Sequence, residues 1–230
     1  MKIEILADAD SVAQEAAAFI ADEARAAIND RGRFVMAVSG GHAPWAMLRV
    51  LAEEDVPWGK VHLAQVDERI APAGDPDRNL THLQESFLDH APLPQEQVYA
   101  MPVESADLKA AAEQYAATLE KIAGTPPALD LIHLGLGPDG HTASLVPGEP
   151  ALWINDAEVA VTGIYQGRRR MTLTYPVLNR ARRVLWLVTG SDKVGMLARL
   201  QAADPSIPAG RVNQENALVL ADQAAAANVK

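Results

Sequence analysis

The sequence predicts a single α/β domain over residues 1–230, built on a mostly parallel, doubly wound (Rossmann-like) sheet with helices on both faces. Short apolar segments alternate along the chain with Ala-rich segments of helical periodicity, which is the pattern of a βαβ fold. We find no internal repeat and no interdomain linker. A chain of 230 residues is also long enough to bury a large core.

The first elements are a strand, a long helix and a buried strand. Residues 2–6 alternate as a strand does, residues 8–29 are Ala-rich with helical periodicity, and Gly32 is a stop signal. The continuous apolar run over residues 33–38 predicts a buried strand, and a helix follows through Leu51. The candidate N-caps of the long helix are Asp8, Asp10 and Ser11.

The rest of the chain continues the alternation of strands and helices. The predicted strands cover residues 61–66, 129–134, 158–164, 171–174, 184–189 and 217–220. The predicted helices cover residues 79–88, 105–122 and 192–201, with a frayed helix over the last residues, 224–230. We expect Asn79 to cap the first of these three helices.

The composition limits the classes of function. Apolar residues make up 49% of the chain and charged residues 22%, as in globular proteins, and no apolar run approaches the ~20 residues of a membrane-spanning helix. The N-terminus does not resemble a signal peptide, and cysteine is absent. We therefore expect a cytoplasmic monomer or small homo-oligomer without membrane contact. The net charge of −10 argues against a nucleic-acid partner.

Three unusual loops follow predicted strands, at residues 39–44, 67–79 and 135–148. Because the carboxyl ends of parallel strands share one edge of the sheet, where such folds bind ligands, the loops predict one composite site. Ser39, Gly40 and Gly41 join a strand to a helix, which suits either a phosphate or a plain tight turn.

The loop from Gly135 to Ser144 carries the most information. Its GLGPDG matches a dinucleotide-binding pattern, but it lies in mid-chain and lacks a convincing acidic partner ~20 residues on, so we set that interpretation third. His141 follows Asp139 where we expect a short helix to begin. An imidazole with an ordinary pKa near ~6.5 can take a proton from water at neutral pH.

Cations elsewhere could bind an anionic ligand. Arg69 ends a strand beside Asp67, where it binds an anion or pairs with its neighbour. Of the three arginines at 168–170, Arg168 and Arg170 share a face of the chain, and either could hold a phosphate. Lys193 and Arg211 follow later strands. The sequence has no G-x-S-x-G elbow and no zinc signature.

Several of these stretches together resemble the glucosamine-6-phosphate isomerase/6-phosphogluconolactonase family. They are Val38–Gly41 with Pro44, Asp67–Arg69 with Asn79, Gly135–Ser144 with Pro147 and Gly148, Arg170–Thr174 and, more loosely, Lys193 and Pro208–Val212. The resemblance implies hydrolysis of a sugar-phosphate lactone without metal or organic cofactor. It implies that His141 is the base that activates water, and that Arg69, Arg170 and the 39–41 loop hold the phosphate and sugar.

We count Asp67 and Arg69 with His141 as catalytic candidates. The substrate-binding candidates are Ser39, Gly40, Gly41, Arg69, Gly137, Asp139, Arg170, Lys193 and Arg211. Two alternatives remain open besides the dinucleotide module. A deaminase or isomerase of an amino-sugar phosphate would use a carboxylate such as Asp67 to abstract a carbon-bound proton, and a sugar-phosphate sensor would bind without turnover.

Overall fold

The computed structural model describes residues 1–228 and contains a seven-stranded sheet in which every neighbouring pair is parallel. The strands of the chain are β1 (Lys2–Leu6), β2 (Phe34–Val38), β3 (Val61–Gln65), β4 (Asp67–Arg69), β5 (Val98–Tyr99), β6 (Leu131–Gly135), β7 (Val159–Val161), β8 (Arg170–Leu173), β9 (Val184–Val188) and β10 (Ala217–Asp222). The order in the large sheet is β1-β10-β9-β6-β2-β3-β5. The predicted parallel α/β fold is therefore confirmed.

Helices cover both faces of this sheet. They are α1 (Ala9–Arg31), α2 (His42–Leu51), α3 (Asn79–Leu83), α4 (Leu108–Ala123), α5 (Tyr175–Arg180) and α6 (Val194–Gln201). Strand β2 shows how the faces divide, because Phe34 and Met36 join the core under α1 and α2, whereas Val35 joins the core under α4. Strands buried on both faces read as continuous apolar runs, as β2 does. None of the helices within residues 1–228 has the length and apolar character to cross a membrane.

Helix α1 follows its predicted signals closely. The Asp8 carboxylate accepts a hydrogen bond from the backbone N–H of Ser11 at 2.8 Å, which satisfies one donor of the first turn. Gly32 ends the helix with φ of 76°, a left-handed conformation that glycine adopts without cost, and its N–H bonds the carbonyl of Ile28.

A second, antiparallel sheet of three strands in the order β4-β8-β7 was not predicted. The chain leaves β3 at Gln65, and Asp67–Arg69 pairs with β8 instead of simply ending β3. The register sets Asp67 opposite Thr172 and Arg69 opposite Arg170. The small sheet thereby fixes the arginines of β4 and β8 side by side at the carboxyl edge of the large sheet.

Several predicted boundaries were wrong. Helix α3 runs only to Leu83 and continues as a π-helical turn over Gln84–Leu88, and α4 begins at Leu108 because the Asp107 carboxylate caps it. The predicted helix over 192–201 divides into a 3₁₀ turn and α6. Residues 223–228 form turns, not a frayed helix, while residues 229–230 of that prediction lie outside the described residues. Helix α5 and the short β5 were not predicted.

Candidate active site

A cavity of about 220 Å³ lies beyond the carboxyl ends of β2 and β6, beside β4 of the small sheet. Its lining residues are Ser39, Gly40, Asp67, Arg69, Asn79, Gly135, Leu136, Gly137, Pro138, His141, Ala143, Arg170 and Lys193. All three predicted loops therefore contribute to one cavity, and the β8 strand adds a cation to it.

His141 is held from behind by Asp139. The Nδ1 atom of His141 lies 2.5 Å from Oδ1 of Asp139, and the same oxygen accepts the backbone N–H of His141 at 3.1 Å. Burial raises the pKa of the Asp139 carboxyl, but the hydrogen bonds from His141 outweigh it and leave that pKa lowered. An ionised Asp139 favours the proton on Nδ1, which leaves Nε2 as the free acceptor of the imidazole. No helix begins at His141, contrary to expectation, because Thr142 instead forms a bridge with Leu145.

Gly137 is required for the close approach of the loop to this imidazole. A Cβ atom at this position would lie 2.1 Å from Nδ1 and 2.2 Å from Cε1 of His141. The backbone N–H of Gly137 also donates to the carbonyl oxygen of His141 at 2.8 Å. The glycine thus allows the loop to fold back onto the imidazole and fix its position.

Two guanidinium groups, those of Arg69 and Arg170, lie on neighbouring strands of the small sheet. Both Nε atoms are buried, and neither has a hydrogen-bond partner among the described residues. Burial lowers the pKa of Arg170, and the nearby charge of Arg69 lowers it further although Asp67 acts in the opposite direction. Like charges opposite each other are unfavourable in a sheet, so an anion between them would be stabilising.

The third loop cation, Arg168, points elsewhere. Its guanidinium group pairs with Asp75 and Asp77, each at 2.9 Å, and it does not line the cavity. Of the two arginines that share a face in the sequence, only Arg170 therefore reaches the site. Lys193 also lines the cavity, next to Asp192, whose carboxylate is 2.7 Å from its Nζ.

A sequence model of the family described as glucosamine-6-phosphate isomerases/6-phosphogluconolactonase matches residues 7–220. The chain belongs to this family. The 6-phosphogluconolactonase of Synechocystis sp. is 36% identical over 100% of this chain and 98% of its own, and that of Mycobacterium tuberculosis is 36% identical over 99% and 98%. The crystal structure of 6-phosphogluconolactonase from Thermotoga maritima matches with a TM-score of 0.85 and 25% identity, covering 96% of this chain and 98% of that one.

Three residues expected at the site from the sequence do not line the cavity of this family member. Gly41 is instead the N-cap residue of α2, with φ of 133°. The Arg211 guanidinium group lies 4.5 Å from the ring centre of Trp153, and its Nε donates to the carbonyl of Pro205 at 2.8 Å. Asp139 binds Nδ1 of His141 and does not line the cavity. The cation–π contact with Trp153 holds Arg211 away from the cavity, which the local sequence did not indicate.

Asn79 and Ser144 were missed as members of the site. Asn79 does not cap α3 with its side chain; its Nδ2 donates to the carbonyl oxygen of Asp67 at 2.9 Å and its Oδ1 accepts from Arg69 Nη1 at 2.7 Å. The Ser144 hydroxyl donates to Oδ2 of Asp67 at 2.6 Å. A Cβ at Gly40 would lie 1.9 Å from Asn79 Oδ1, so the glycine makes room for this network. The sequence signals were that these residues lie within the three loops and within the stretches that resemble the family.

Ser39 hydrogen-bonds to the buried His133 and is not placed as a nucleophile. Its hydroxyl donates to the carbonyl oxygen of His133 at 3.1 Å, and its backbone N–H donates to Nδ1 of His133 at 3.3 Å. Burial lowers the pKa of His133 to about 3, so this imidazole stays neutral in the folded protein. His133 is fully buried in β6 and belongs to the core. Residues 1–228 hold no group of three or more His, Cys, Asp or Glu side chains placed to share a metal ion.

Proposed function

We propose that this protein hydrolyses 6-phospho-D-glucono-1,5-lactone to 6-phospho-D-gluconate in the oxidative pentose phosphate pathway. One observation carries the proposal: an imidazole held by a carboxylate and two guanidinium groups with buried Nε atoms meet at one cavity. The first provides a base for water, and the second provides a place for a phosphate. The lactonases named among the relatives of similar length support the same substrate.

In the proposed mechanism His141 is the general base. With its Nδ1 proton directed at Asp139, Nε2 takes a proton from a water molecule, and the resulting hydroxide attacks C1 of the lactone. The tetrahedral intermediate then collapses with cleavage of the bond between C1 and the ring oxygen. The protonated His141 returns its proton to that leaving oxygen, which becomes a hydroxyl group. The base is thereby regenerated with no metal or organic cofactor in the scheme.

We assign the substrate phosphate to Arg69 and Arg170, assisted by Lys193 and the turn at Ser39–Gly40. The Nε of each guanidinium group has no hydrogen-bond partner within residues 1–228, and phosphate accepts charge-assisted hydrogen bonds from such donors. Anchoring the phosphate uses binding energy to orient C1 toward the activated water. Gly137 would line the cavity beside the sugar, and Asp67 would orient the ring through its hydrogen-bonded network.

The deaminase alternative would need Asp67 as a free base for a carbon-bound proton. In this chain Oδ2 of Asp67 already accepts from Ser144, and Oδ1 lies 3.4 Å from Nδ2 of Asn79. Both oxygens of this carboxylate therefore face protein donors, and neither is free to approach a carbon-bound proton. The geometry therefore favours His141 as the proton acceptor and the lactone as the substrate.

The proposal is tested with purified protein by following the loss of the lactone above its spontaneous hydrolysis. We expect turnover of 6-phosphogluconolactone and no release of ammonia from glucosamine 6-phosphate. Ammonia release would instead identify a deaminase. Binding of 6-phosphogluconate without any turnover of the lactone would identify a sensor and overturn the proposal.

A further inference from the structure

Tyr165 contacts the catalytic pair and one of the two cavity arginines at the same time. It lies between β7 and β8, in a turn closed by its bridge to Arg168, and it is half-buried. Its hydroxyl donates to Oδ2 of Asp139 at 3.2 Å. Its ring meets that of His141 edge-on, with 5.5 Å between the ring centres.

The other contact of the tyrosine ring is with Arg170. The guanidinium carbon lies 5.1 Å from the centre of the Tyr165 ring, within the range of a cation–π interaction. Nη2 of Arg170 also donates to Oε1 of Gln166, the next residue in the turn, at 3.2 Å. The turn therefore contacts both the His141–Asp139 pair and Arg170, the arginine assigned to the phosphate.

We propose that Tyr165 is a positioning residue that fixes the Asp139 carboxylate, and through it the His141 imidazole, from the hairpin that carries Arg170. The expected effect of Tyr165 on kcat rests on the proposed function. The geometric claim, that Tyr165 orients Asp139 and His141, does not depend on the substrate.

The two oxygens of Asp139 explain why a hydroxyl matters here. Oδ1 accepts from His141, so the plane of the carboxylate is fixed only if Oδ2 is also held. Asp139 lies in the loop that follows β6, and its side chain is 36% exposed. The Tyr165 hydroxyl supplies the second point of attachment. Asp139 then presents a fixed acceptor to Nδ1, which keeps Nε2 deprotonated and directed toward the cavity.

The Tyr165→Phe variant removes only the hydroxyl and keeps both ring contacts. We expect kcat to fall about tenfold, the loss of one hydrogen bond to a charged group, with KM nearly unchanged because Arg170 keeps its aromatic neighbour. Tyr99→Phe is the matched control, since Tyr99 also places its hydroxyl against a histidine, 2.9 Å from Nδ1 of His62, but outside the cavity. This control should leave kcat and KM as in the parent.

A double-mutant cycle separates positioning from general loss of structure. If Tyr165 acts through Asp139, adding Tyr165→Phe to an Asp139→Ala variant should produce no further fall in kcat. A further tenfold fall in that background, or unchanged kcat in the single Phe variant, would overturn the proposal. Tyr165→Leu, which also removes the ring beneath Arg170, should raise KM in addition to lowering kcat.

A measurement that does not depend on turnover tests the geometric claim by itself. Nitrogen NMR of histidine, assigned with a His141→Gln variant, should show the neutral imidazole of His141 with its proton on Nδ1 in the parent. In Tyr165→Phe the fraction with the proton on Nε2 should rise. An unchanged tautomer would refute the positioning role even in an active enzyme. If the parent fails to hydrolyse the lactone, the proposed function fails, and this NMR shift still decides the role of Tyr165.

Discussion

Arg170 and Arg168 are two residues apart, yet they have different surroundings. The Arg170 side chain is buried at the cavity with an unpaired Nε, whereas Arg168 is held by Asp75 and Asp77. We predict that Arg170→Ala raises KM about 10- to 100-fold, because one or two charge-assisted hydrogen bonds to the phosphate are lost in ground and transition states alike. Steady-state kinetics with the lactone measure this change.

Arg168→Ala is the control for the arginine prediction. It removes the same kind of side chain two residues earlier in the hairpin, outside the cavity wall, so its KM should stay close to that of the parent. If both variants raise KM equally, the effect comes from the hairpin and not from a phosphate contact at Arg170.

Gly137 supports a second prediction at the scale of single atoms. In Gly137→Ala the new Cβ would overlap the imidazole of His141, so the ring must move by an ångström or more. Misplacement of that size costs catalysis on the order of 100-fold, and we expect the loss in kcat. Gly59→Ala adds the same methyl group where, within residues 1–228, no heavy atom outside its own chain segment lies within 4 Å, so it should be neutral. Parent-like kcat in Gly137→Ala would contradict the assigned position of the base.

At the scale of elements, one side chain joins β4 to the start of α3. The fully buried Glu68 carboxylate accepts the backbone N–H groups of Asn79 and Leu80, each at 2.8 Å, and that of Arg69 at 2.7 Å. It also lies 3.6 Å from Nε of the buried Arg78. Glu68 therefore does the capping of α3 that the sequence assigned to Asn79.

We predict that Glu68→Gln lowers the free energy of unfolding by about 3–5 kcal/mol, because it removes the buried countercharge of Arg78 and replaces a carboxylate oxygen that accepts backbone N–H groups. Arg78 then keeps only the more exposed carboxylate of Glu104, 3.6 Å from its Nη1. Urea unfolding followed by circular dichroism measures the change. Glu15→Gln, on an exposed position of α1, is the control and should change stability little. A loss below about 1 kcal/mol in Glu68→Gln, within the range of exposed pairs, would show that this carboxylate does not hold the two elements together.

Elements whose ends are fixed by neighbouring residues were predictable from the sequence. Elements whose ends or pairing depend on residues far along the chain were not. Helix α1 carries its own cap at Asp8 and its own stop at Gly32, so its bounds followed from the sequence. Helix α3 is capped by Glu68, eleven residues earlier, and the sheet of β4, β8 and β7 depends on pairing across about a hundred residues. Because parallel strands end at one edge of the sheet, the sequence predicted which three loops meet. It could not predict that Trp153 draws Arg211 away.

At the scale of the whole molecule, a neutral imidazole sits inside the central sheet. The pKa of His133 is lowered from 6.5 to about 3 by burial, so on acidification the unfolded chain takes up this proton first. The stabilisation is complete above pH 6.5 and is lost progressively as the pH falls toward 3. We predict a fall of about 2 kcal/mol in the free energy of unfolding between pH 7.5 and 5 from this residue.

Urea unfolding at the two pH values tests the histidine prediction. In His133→Asn the amide oxygen can accept from Ser39 as Nδ1 does, and this part of the pH dependence should disappear even if the variant is less stable overall. The exposed His42→Gln serves as the control and should keep the pH dependence of the parent. Equal pH dependence in all three proteins would show that His133 is not the cause.

The acidic protein gathers positive charge at one edge. The protein has a net charge of −10, yet its cavity brings Arg69, Arg170 and Lys193 together. This local positive charge attracts an anion to the cavity although the rest of the surface repels it. This arrangement depends on the whole topology, since the three side chains come from β4, β8 and the start of α6. Location in the cytoplasm and the state of a monomer or small homo-oligomer stay predictions from the sequence.

The central claim is that the imidazole of His141 removes a proton from water in a cavity that holds the sugar phosphate. The most direct measurement compares lactone hydrolysis by the parent and by His141→Ala, each shown to be folded by circular dichroism. We predict a fall in kcat of about 10²–10⁴-fold, the usual contribution of a general base, with KM little changed. Hydrolysis by a folded His141→Ala at the rate of the parent would contradict the account.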